Sequence, residues 1–146
     1  MAEICVSFLT RQKTSLKENI LDKIWSIDNW LSTLERVHNV QIISENPTYQ
    51  HFILYFDADN PQLDRVEVER TYTTGCIEVT HLIPPPGILS LKGKWWVNEQ
   101  HPYEIFASRQ ILLEKKGFTL PLAKKMFALL RENLEKLTKD VSCVVK

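Results

Sequence analysis

The sequence has little cysteine and little glycine, and neither residue type forms a recognisable motif. Its three cysteines, Cys5, Cys76 and Cys143, are far apart and form no C-x-x-C pair, which argues against a disulfide framework and against a zinc knuckle. Its four glycines form no phosphate-binding loop, and no serine elbow or His-x-x-x-His pair occurs. These absences weigh against hydrolase, nucleotide and metal chemistry, and no metal or cofactor is expected.

The charge balance and the lack of long apolar runs exclude two further classes. Lys and Arg number 18, as do Asp and Glu, so the formal net charge is zero, and a surface that follows nucleic-acid phosphates is not expected. No run of about 18 uncharged apolar residues occurs. The N-terminal MAEICVSFLTRQK has no basic segment followed by an apolar one. We expect a cytoplasmic protein whose partners include neither nucleic acid nor a membrane.

The chain has the composition of an ordinary globular domain. It has 146 residues, of which 44% are hydrophobic and 25% are charged. This length suffices for one well-buried core and is too short for two. We therefore predict a single domain spanning residues 1–146.

Hydrophobic periodicity predicts that the chain opens with a strand and two short helices. Residues Glu3 to Thr10 alternate with a period of two, as in a strand. Ser15 and Glu18 have capping-box spacing before a helical pattern, and Ser26 is placed to cap a second helix.

The sequence pattern predicts antiparallel strands in the middle of the chain and one long helix at its end. Strands are predicted at Val37 to Ser44, Tyr49 to Asp57, Arg65 to Thr73, Ile77 to Ile83, Leu89 to Val97 and Tyr103 to Lys115. Short turns between them favour a meander. Thr119 is placed to cap the last helix, whose first turn accommodates Pro121. The apolar residues of this helix recur at helical spacing: Ala123, Met126, Phe127, Leu130, Leu134 and Leu137.

This order of elements, together with several local segments, resembles the START-like helix-grip superfamily, also called SRPBCC. The segments are IDNWLSTLERVHNVQII, RVEVERTY, IEVTHLIPPPGILSLKGKWWV and YEIFASRQILLEKK, and they are most similar to the polyketide cyclase and dehydrase branch. The resemblance implies an α+β fold. In it, a curved antiparallel sheet of about six or seven strands surrounds a long C-terminal helix, and two short helices follow strand 1. It also implies a deep apolar cavity between sheet and helix, as expected where one helix faces a strongly curved sheet.

Arg70 is the first candidate catalytic residue. Alternation along its strand places Arg70 on the same face as Val68 and Tyr72, and a buried cation there needs partners. Arg70 matches the strand arginine of the resembling cyclases, which implies a fixed cation that stabilises an enolate or ketide oxygen. The alternative is a structural salt bridge with Glu18 or Glu135.

Two further inward-facing polar residues are predicted on neighbouring strands. His81 shares a face with Val79, and an imidazole there is suited to proton transfer near neutral pH; the alternative is a hydrogen-bonded core histidine. Arg109 shares a face with Ile105 and Ile111, which makes it a second inward cation. The alternative for Arg109 is an ion pair across the outer face with one of three carboxylates, those of Glu67, Glu69 and Glu78.

The remaining candidates would shape the bound ligand. Trp95 faces the interior if its strand is regular, and its alternative role is core packing. His51 and Tyr55 alternate on one face of their strand, and a slip of one residue would expose both. Pro85 belongs to the Pro-rich turn that borders the pocket mouth in the resembling family, although such a turn can also simply end a strand. Phe127 belongs to the apolar face of the last helix.

The leading hypothesis is an aromatase/cyclase-like enzyme that folds a poly-β-ketone chain and promotes aldol cyclisation with loss of water. Positioning and a few polar groups supply much of the rate in such a reaction. We assign carbonyl or enolate stabilisation to Arg70 and proton transfer to His81 or Tyr72. Tyr55 and Trp95 would shape the bound chain.

The sequence leaves other functions open. The second hypothesis is a non-catalytic carrier or sensor of an apolar small molecule, which would use the same cavity, and a third is an accessory fold that acts through its surface. Delivery of the substrate by an acyl carrier protein is a further option for the enzyme. Lys92 and Lys94, near the Pro-rich turn, are the candidate contacts for such a carrier protein.

Overall fold

The structure, a computed structural model, describes residues 3–13, 20–34, 36–56, 65–85, 87–97, 104–114 and 120–137. Its elements, in chain order, are β1 (Glu3–Lys13), α1 (Ile20–Trp25), α2 (Ile27–Thr33), β2 (Asn39–Asn46), β3 (Tyr49–Tyr55), β4 (Arg65–Thr73), β5 (Cys76–Ile83), β6 (Ser90–Val97), β7 (Glu104–Glu114) and α3 (Leu120–Leu137). The predicted order of elements is confirmed, with boundaries that differ by a few residues.

The strands form one seven-stranded antiparallel sheet in the order β1-β7-β6-β5-β4-β3-β2. Strands β2 to β7 form the predicted meander. Strand β1 pairs along its whole length with β7, from Glu3 opposite Glu114 to Lys13 opposite Glu104. Register shifts interrupt the pairing of β2 with β3 and of β4 with β5, and such irregularities bend a sheet. The result is the curved helix-grip sheet that the sequence predicts.

The helices begin and end where local chemistry allows. The Ser26 side chain accepts a hydrogen bond from the backbone N of Asn29 at 3.3 Å, so the predicted cap of α2 is confirmed. Pro121 lies at the second position of α3, in the turn whose backbone donors have no intrahelical partner. The predicted caps Ser15, Glu18 and Thr119 lie outside the described residues. Within the described part of the chain, no helix is long and apolar enough to cross a bilayer.

The core lies between the concave face of the sheet and the three helices. A large apolar cluster joins α1, α2 and the sheet to the C-terminal half of α3, where Leu130, Leu134 and Leu137 are buried. A smaller cluster joins Leu91 and Ile111 to Ala123 near the other end of α3. Helix α3 therefore packs on the sheet at both ends.

Candidate functional site

A cavity of about 720 Å³ lies between the concave face of the sheet and α3. Most of its wall is apolar, as expected for a small-molecule site. The apolar lining comes from the inward face of β3 and β4 (Phe52, Leu54, Val66 and Val68) and from α3 (Leu122, Met126, Leu129 and Leu130). Arg36, Lys125 and Asn133 also line the cavity; the first two are exposed, so they mark its mouth.

The structure brings five of the predicted site residues to this one cavity. Its lining includes Arg70, His81, Pro85, Trp95 and Arg109. They come from strands β4, β5, β6 and β7 and from the turn after β5. The inward orientation predicted from strand alternation is confirmed for these strand residues, because each is in phase with buried apolar neighbours.

His51 and Tyr55 do not line the cavity, which corrects our expectation for this strand. Both side chains lie on the opposite face of β3, since Phe52 and Leu54 occupy the inward phase. His51 Nε2 lies 2.7 Å from Glu67 Oε2, and the Tyr55 hydroxyl donates to Gln41 Oε1 at 2.7 Å. Both residues therefore belong to polar networks on the convex face.

Tyr72 and Phe127 are near the core but outside the cavity lining, a second correction. Tyr72 lies one alternation beyond Arg70 toward the end of β4, where its hydroxyl donates to Asp22 Oδ1 at 2.9 Å. Its ring packs against Trp25 with centroids 5.3 Å apart. Phe127 packs edge-on against Phe8 at 5.4 Å. These contacts hold α1 and α3 against the sheet.

Arg70 is buried, with 2% of its surface exposed. Its N–H groups donate hydrogen bonds to carbonyl groups at the end of α1. Its Nη1 donates to the carbonyl of Ile24 at 2.9 Å, and its Nη2 donates to the carbonyl of Trp25 at 2.8 Å. The last carbonyls of a helix lack intrahelical partners and carry partial negative charge, so a cation is favourable there. Nε and Nη2 also donate to Gln50 Oε1.

Aromatic rings complete the surroundings of Arg70. Its guanidinium carbon lies 5.0 Å from the ring centroid of Trp25, 5.5 Å from Trp30 and 5.1 Å from Phe52. No carboxylate among the described residues pairs with it; Glu135, one predicted partner, is exposed on α3, and Glu18 lies outside the described residues. Burial, and secondly the charge of Arg109, lowers the pKa of Arg70 to about 9, so Arg70 is still a cation at neutral pH.

Gln50 is a buried partner of Arg70 that the sequence pattern did not reveal to us. It is 4% exposed and lies directly opposite Arg70 in the pairing of β3 with β4. Its Nε2 donates to the carbonyl of Trp25 at 2.8 Å while its Oε1 accepts from Arg70. An amide in phase with Phe52 and Leu54 is the sequence feature that could have revealed it.

Arg109 makes fewer described hydrogen bonds than Arg70. Its single described hydrogen bond is from Nη1 to the carbonyl of its neighbour Ser108 at 2.8 Å. The guanidinium carbon lies 4.7 Å from the ring centroid of Trp95. Gly93 lies opposite Arg109 in the sheet, and a Cβ there would fall 2.6 Å from Arg109 Nη1. The missing side chain of Gly93 therefore makes room for the arginine.

The carboxylates considered as partners of Arg109 are engaged elsewhere. Each has its own partner on the convex face: Glu67 with His51, Glu69 with the Tyr49 hydroxyl and Glu78 with Lys94. Lys92 and Lys94 are exposed on β6, out of phase with Trp95, and they border a depression on the convex face whose lining also includes Arg109. The side chains of Lys92 and Lys94 therefore do not mark the mouth of the cavity.

His81 and Trp95 present polar atoms without partners in the same cavity. His81 Nδ1 and Trp95 Nε1 are buried and have no hydrogen-bond partner among the described residues. Burial, and secondly the charge of Arg109, lowers the pKa of His81 to about 3, so the imidazole is neutral at pH 7. Buried polar atoms in native proteins are nearly always satisfied, so these two atoms are exceptions within the wall of the cavity.

The described lining carries charge of one sign. It includes the cations Arg36, Arg70, Arg109 and Lys125 and no aspartate or glutamate. Among the described side chains, no three His, Cys, Asp or Glu residues cluster as ligands for a metal ion. The site offers guanidinium donors, one neutral imidazole and an apolar wall.

Comparison with known proteins identifies the fold. No protein-family model and no curated protein matches the sequence. The solved structure of the di-domain ARO/CYC BexL from the BE-7585A biosynthetic pathway matches 92% of this chain with a TM-score of 0.74 at 15% identity. The match covers 49% of that protein, so the chain spans about half its length.

Two solved structures of similar length also match. The Zhui aromatase/cyclase from Streptomyces sp. R1128 has a TM-score of 0.64 at 14% identity, with 94% of this chain and 92% of that chain covered. A START superfamily protein from Mycobacterium smegmatis has a TM-score of 0.57 at 13% identity, with 91% and 92% covered. The chain has the helix-grip fold.

Proposed function

We propose that this protein is an aromatase/cyclase-like enzyme that closes a ring in a poly-β-ketone chain by aldol condensation with loss of water. The observation that carries the proposal is the cavity itself, an apolar space of about 720 Å³. It is lined by Arg109, which makes one described hydrogen bond, and by the neutral His81. Structural similarity to aromatase/cyclases over nearly the whole chain supports this class of substrate.

Arg109 is the residue we assign to the substrate oxygen. A carbon between two carbonyls loses a proton readily, and the resulting enolate carries its charge on oxygen. Guanidinium donors held in a water-poor site stabilise such an oxygen strongly. Arg70, to which the resemblance assigns this role, donates most of its N–H groups to Gln50 and to the end of α1. Its contribution to the reaction is the positive charge that it adds to the cavity.

His81 is the residue we assign to proton transfer. Its neutral imidazole accepts the carbon-bound proton, the enolate carbon attacks a ketone of the same chain, and the imidazolium returns the proton to the new alkoxide. The imidazole then takes the second proton from the attacking carbon and delivers it to the hydroxyl group, which leaves as water while the carbon–carbon double bond forms. A negatively charged intermediate beside Arg109 offsets the cation that helps to depress the pKa of His81. The enolate therefore stabilises the imidazolium that forms with it, although burial, the larger cause of the lowered pKa, is unchanged.

A poly-β-keto thioester incubated with the protein tests the proposal, with products analysed by mass spectrometry. We expect a cyclised product that has lost water to form faster than in buffer, and Arg109→Gln to reduce its rate by about 100-fold. Lys92→Gln, which removes one positive charge from the exposed convex face, is the matched control and should retain the rate. Product formation no faster than in buffer would refute the proposed cyclase activity.

A non-catalytic carrier of an apolar small molecule is the second candidate. The pKa of about 3 for His81 favours it, because so weak a base is poorly suited to general base catalysis at neutral pH. A carrier would hold the same mimics and release them unchanged. Recovery of intact ligand from a stable complex in the same incubation would support the carrier.

A further inference from the structure

The charges of the cavity are unbalanced in a chain whose formal net charge is zero. Arg70 and Arg109 are lowered in pKa by burial, to about 9 and about 10, so both stay protonated at neutral pH. No described acidic residue lines the cavity. Removing a cation from water is costly unless an opposite charge or hydrogen-bond acceptors replace the water.

Arg70 and Arg109 differ in the hydrogen-bond acceptors that replace the water lost on burial. Arg70 is satisfied within the protein, because helix carbonyls and Gln50 accept from its Nε, Nη1 and Nη2. Arg109 donates one described hydrogen bond, from Nη1 to Ser108. Its Nε and Nη2 have no hydrogen-bond partner among the described residues. Arg109 is therefore the cation of the cavity that still needs an acceptor.

The surroundings of Arg109 hold it in place for a ligand. The guanidinium carbon of Arg109 lies 4.7 Å from the ring centroid of Trp95. Gly93 has no side chain, which leaves space for the side chain of Arg109. Trp95 and His81 belong to the wall of the same cavity, in which Trp95 Nε1 and His81 Nδ1 are buried. A planar guanidinium group suits a carboxylate, which accepts two parallel hydrogen bonds.

We infer that the cavity binds an amphipathic carboxylate, with the carboxylate on Arg109 and an apolar body against the wall formed by β3, β4 and α3. The inference rests on the proposed function for the use of this cavity and goes beyond it, because a bound carboxylate occupies the guanidinium group that the proposed reaction assigns to the enolate oxygen. Arg36 and Lys125 at the mouth add favourable potential for an entering anion.

Decanoate and 1-decanol test the inference because they share an apolar body and differ in charge. Binding is followed by the fluorescence of Trp95 and its neighbours and by calorimetry. We expect decanoate to bind roughly tenfold more tightly than 1-decanol, as one charge-assisted hydrogen bond would give. Arg109→Gln should abolish this preference, and Arg109→Lys should restore part of it. Lys92→Gln, which carries the same change in net charge, should keep the full preference.

A second measurement needs no variant, in case Arg109→Gln fails to fold. The ¹³C signal of carboxyl-labelled decanoate bound to the natural sequence should stay at its ionised position about one pH unit below the pKa of the free acid, because an adjacent cation favours the anion. Equal affinity for acid and alcohol, preference retained in Arg109→Gln, or titration at the free-acid pKa would each overturn the inference. A preference for decanoate without any cyclised product would instead refute the proposed reaction and leave the carboxylate site standing.

Discussion

The Arg70 side chain closes the end of α1 at Trp25 in two ways at once. Its Nη2 donates to the Trp25 carbonyl at 2.8 Å, and its guanidinium carbon lies 5.0 Å from the centroid of the Trp25 ring. The same guanidinium group therefore satisfies the backbone of α1 and packs on its last side chain. This makes Arg70 the link between the first short helix and the middle of the sheet.

Arg70→Met should destabilise the fold by about 3 kcal/mol, because it leaves the carbonyls of Ile24 and Trp25 with fewer donors in a buried site. Urea unfolding at pH 7 measures the change. Arg36→Met, at an exposed arginine of the cavity mouth, should cost less than about 1 kcal/mol. Equal midpoints for Arg70→Met and the natural sequence would show that Arg70 has no structural role.

Gln50→Leu should be strongly non-additive with Arg70→Met. The two side chains share a hydrogen bond and the Trp25 carbonyl, so the second substitution removes a group that the first has already left partly unpaired. We expect the double variant to be more stable than the sum of the two losses predicts, by about 1 kcal/mol. A double-mutant cycle in urea gives this value, and simple additivity would contradict the shared network.

Gly93→Ala should destabilise the sheet and disturb Arg109. The added Cβ would clash with the Ser108 carbonyl oxygen and lie 2.6 Å from Arg109 Nη1, which forces the strands or the arginine to move. A loss of about 1–3 kcal/mol is expected from such overpacking. Ser90→Ala, at the exposed start of the same strand, is the control. Unchanged stability and decanoate affinity in Gly93→Ala would contradict the close approach.

Stability should fall with acid partly through His81. Its folded pKa of about 3 lies below its unfolded value of 6.5, so the unfolded chain binds more protons between these two values. The contribution of His81 to the free energy of unfolding is complete above pH 6.5. It is lost as the pH falls toward 3, by less than about 1.4 kcal/mol per pH unit. His81→Gln should flatten this part of the profile of unfolding free energy against pH. Parallel profiles for the two proteins would show that His81 titrates normally.

Leu134→Ala should loosen α3 from the sheet. Leu134 is 1% exposed within the larger core cluster, and truncation of such a leucine costs about 2–5 kcal/mol. Lys124→Ala, on the exposed side of the same helix, should change the free energy of unfolding by less than about 0.5 kcal/mol. A similar, small effect for both would mean that α3 contributes little to the core.

Strand alternation predicted the site well where most of the polar side chains of a strand fall in one phase. In β5, β6 and β7 it correctly directed His81, Trp95 and Arg109 inward. It failed in β3, because both phases of the segment YQHFILY contain apolar side chains and a period of two does not say which phase meets the helix. His51 and Tyr55 were therefore assigned to the wrong face.

Local sequence determined the order of the elements, their approximate bounds, the cap of α2 at Ser26 and the α+β class, because turn chemistry and hydrophobic period act over a few residues. Tertiary structure alone decided the pairing of β1 with β7 and the capture of the α1 carbonyls by Arg70, across 46 and 45 residues of chain. It also decided which arginine keeps free donors. Those contacts depend on how distant segments meet in space, and no local period or spacing encodes that meeting.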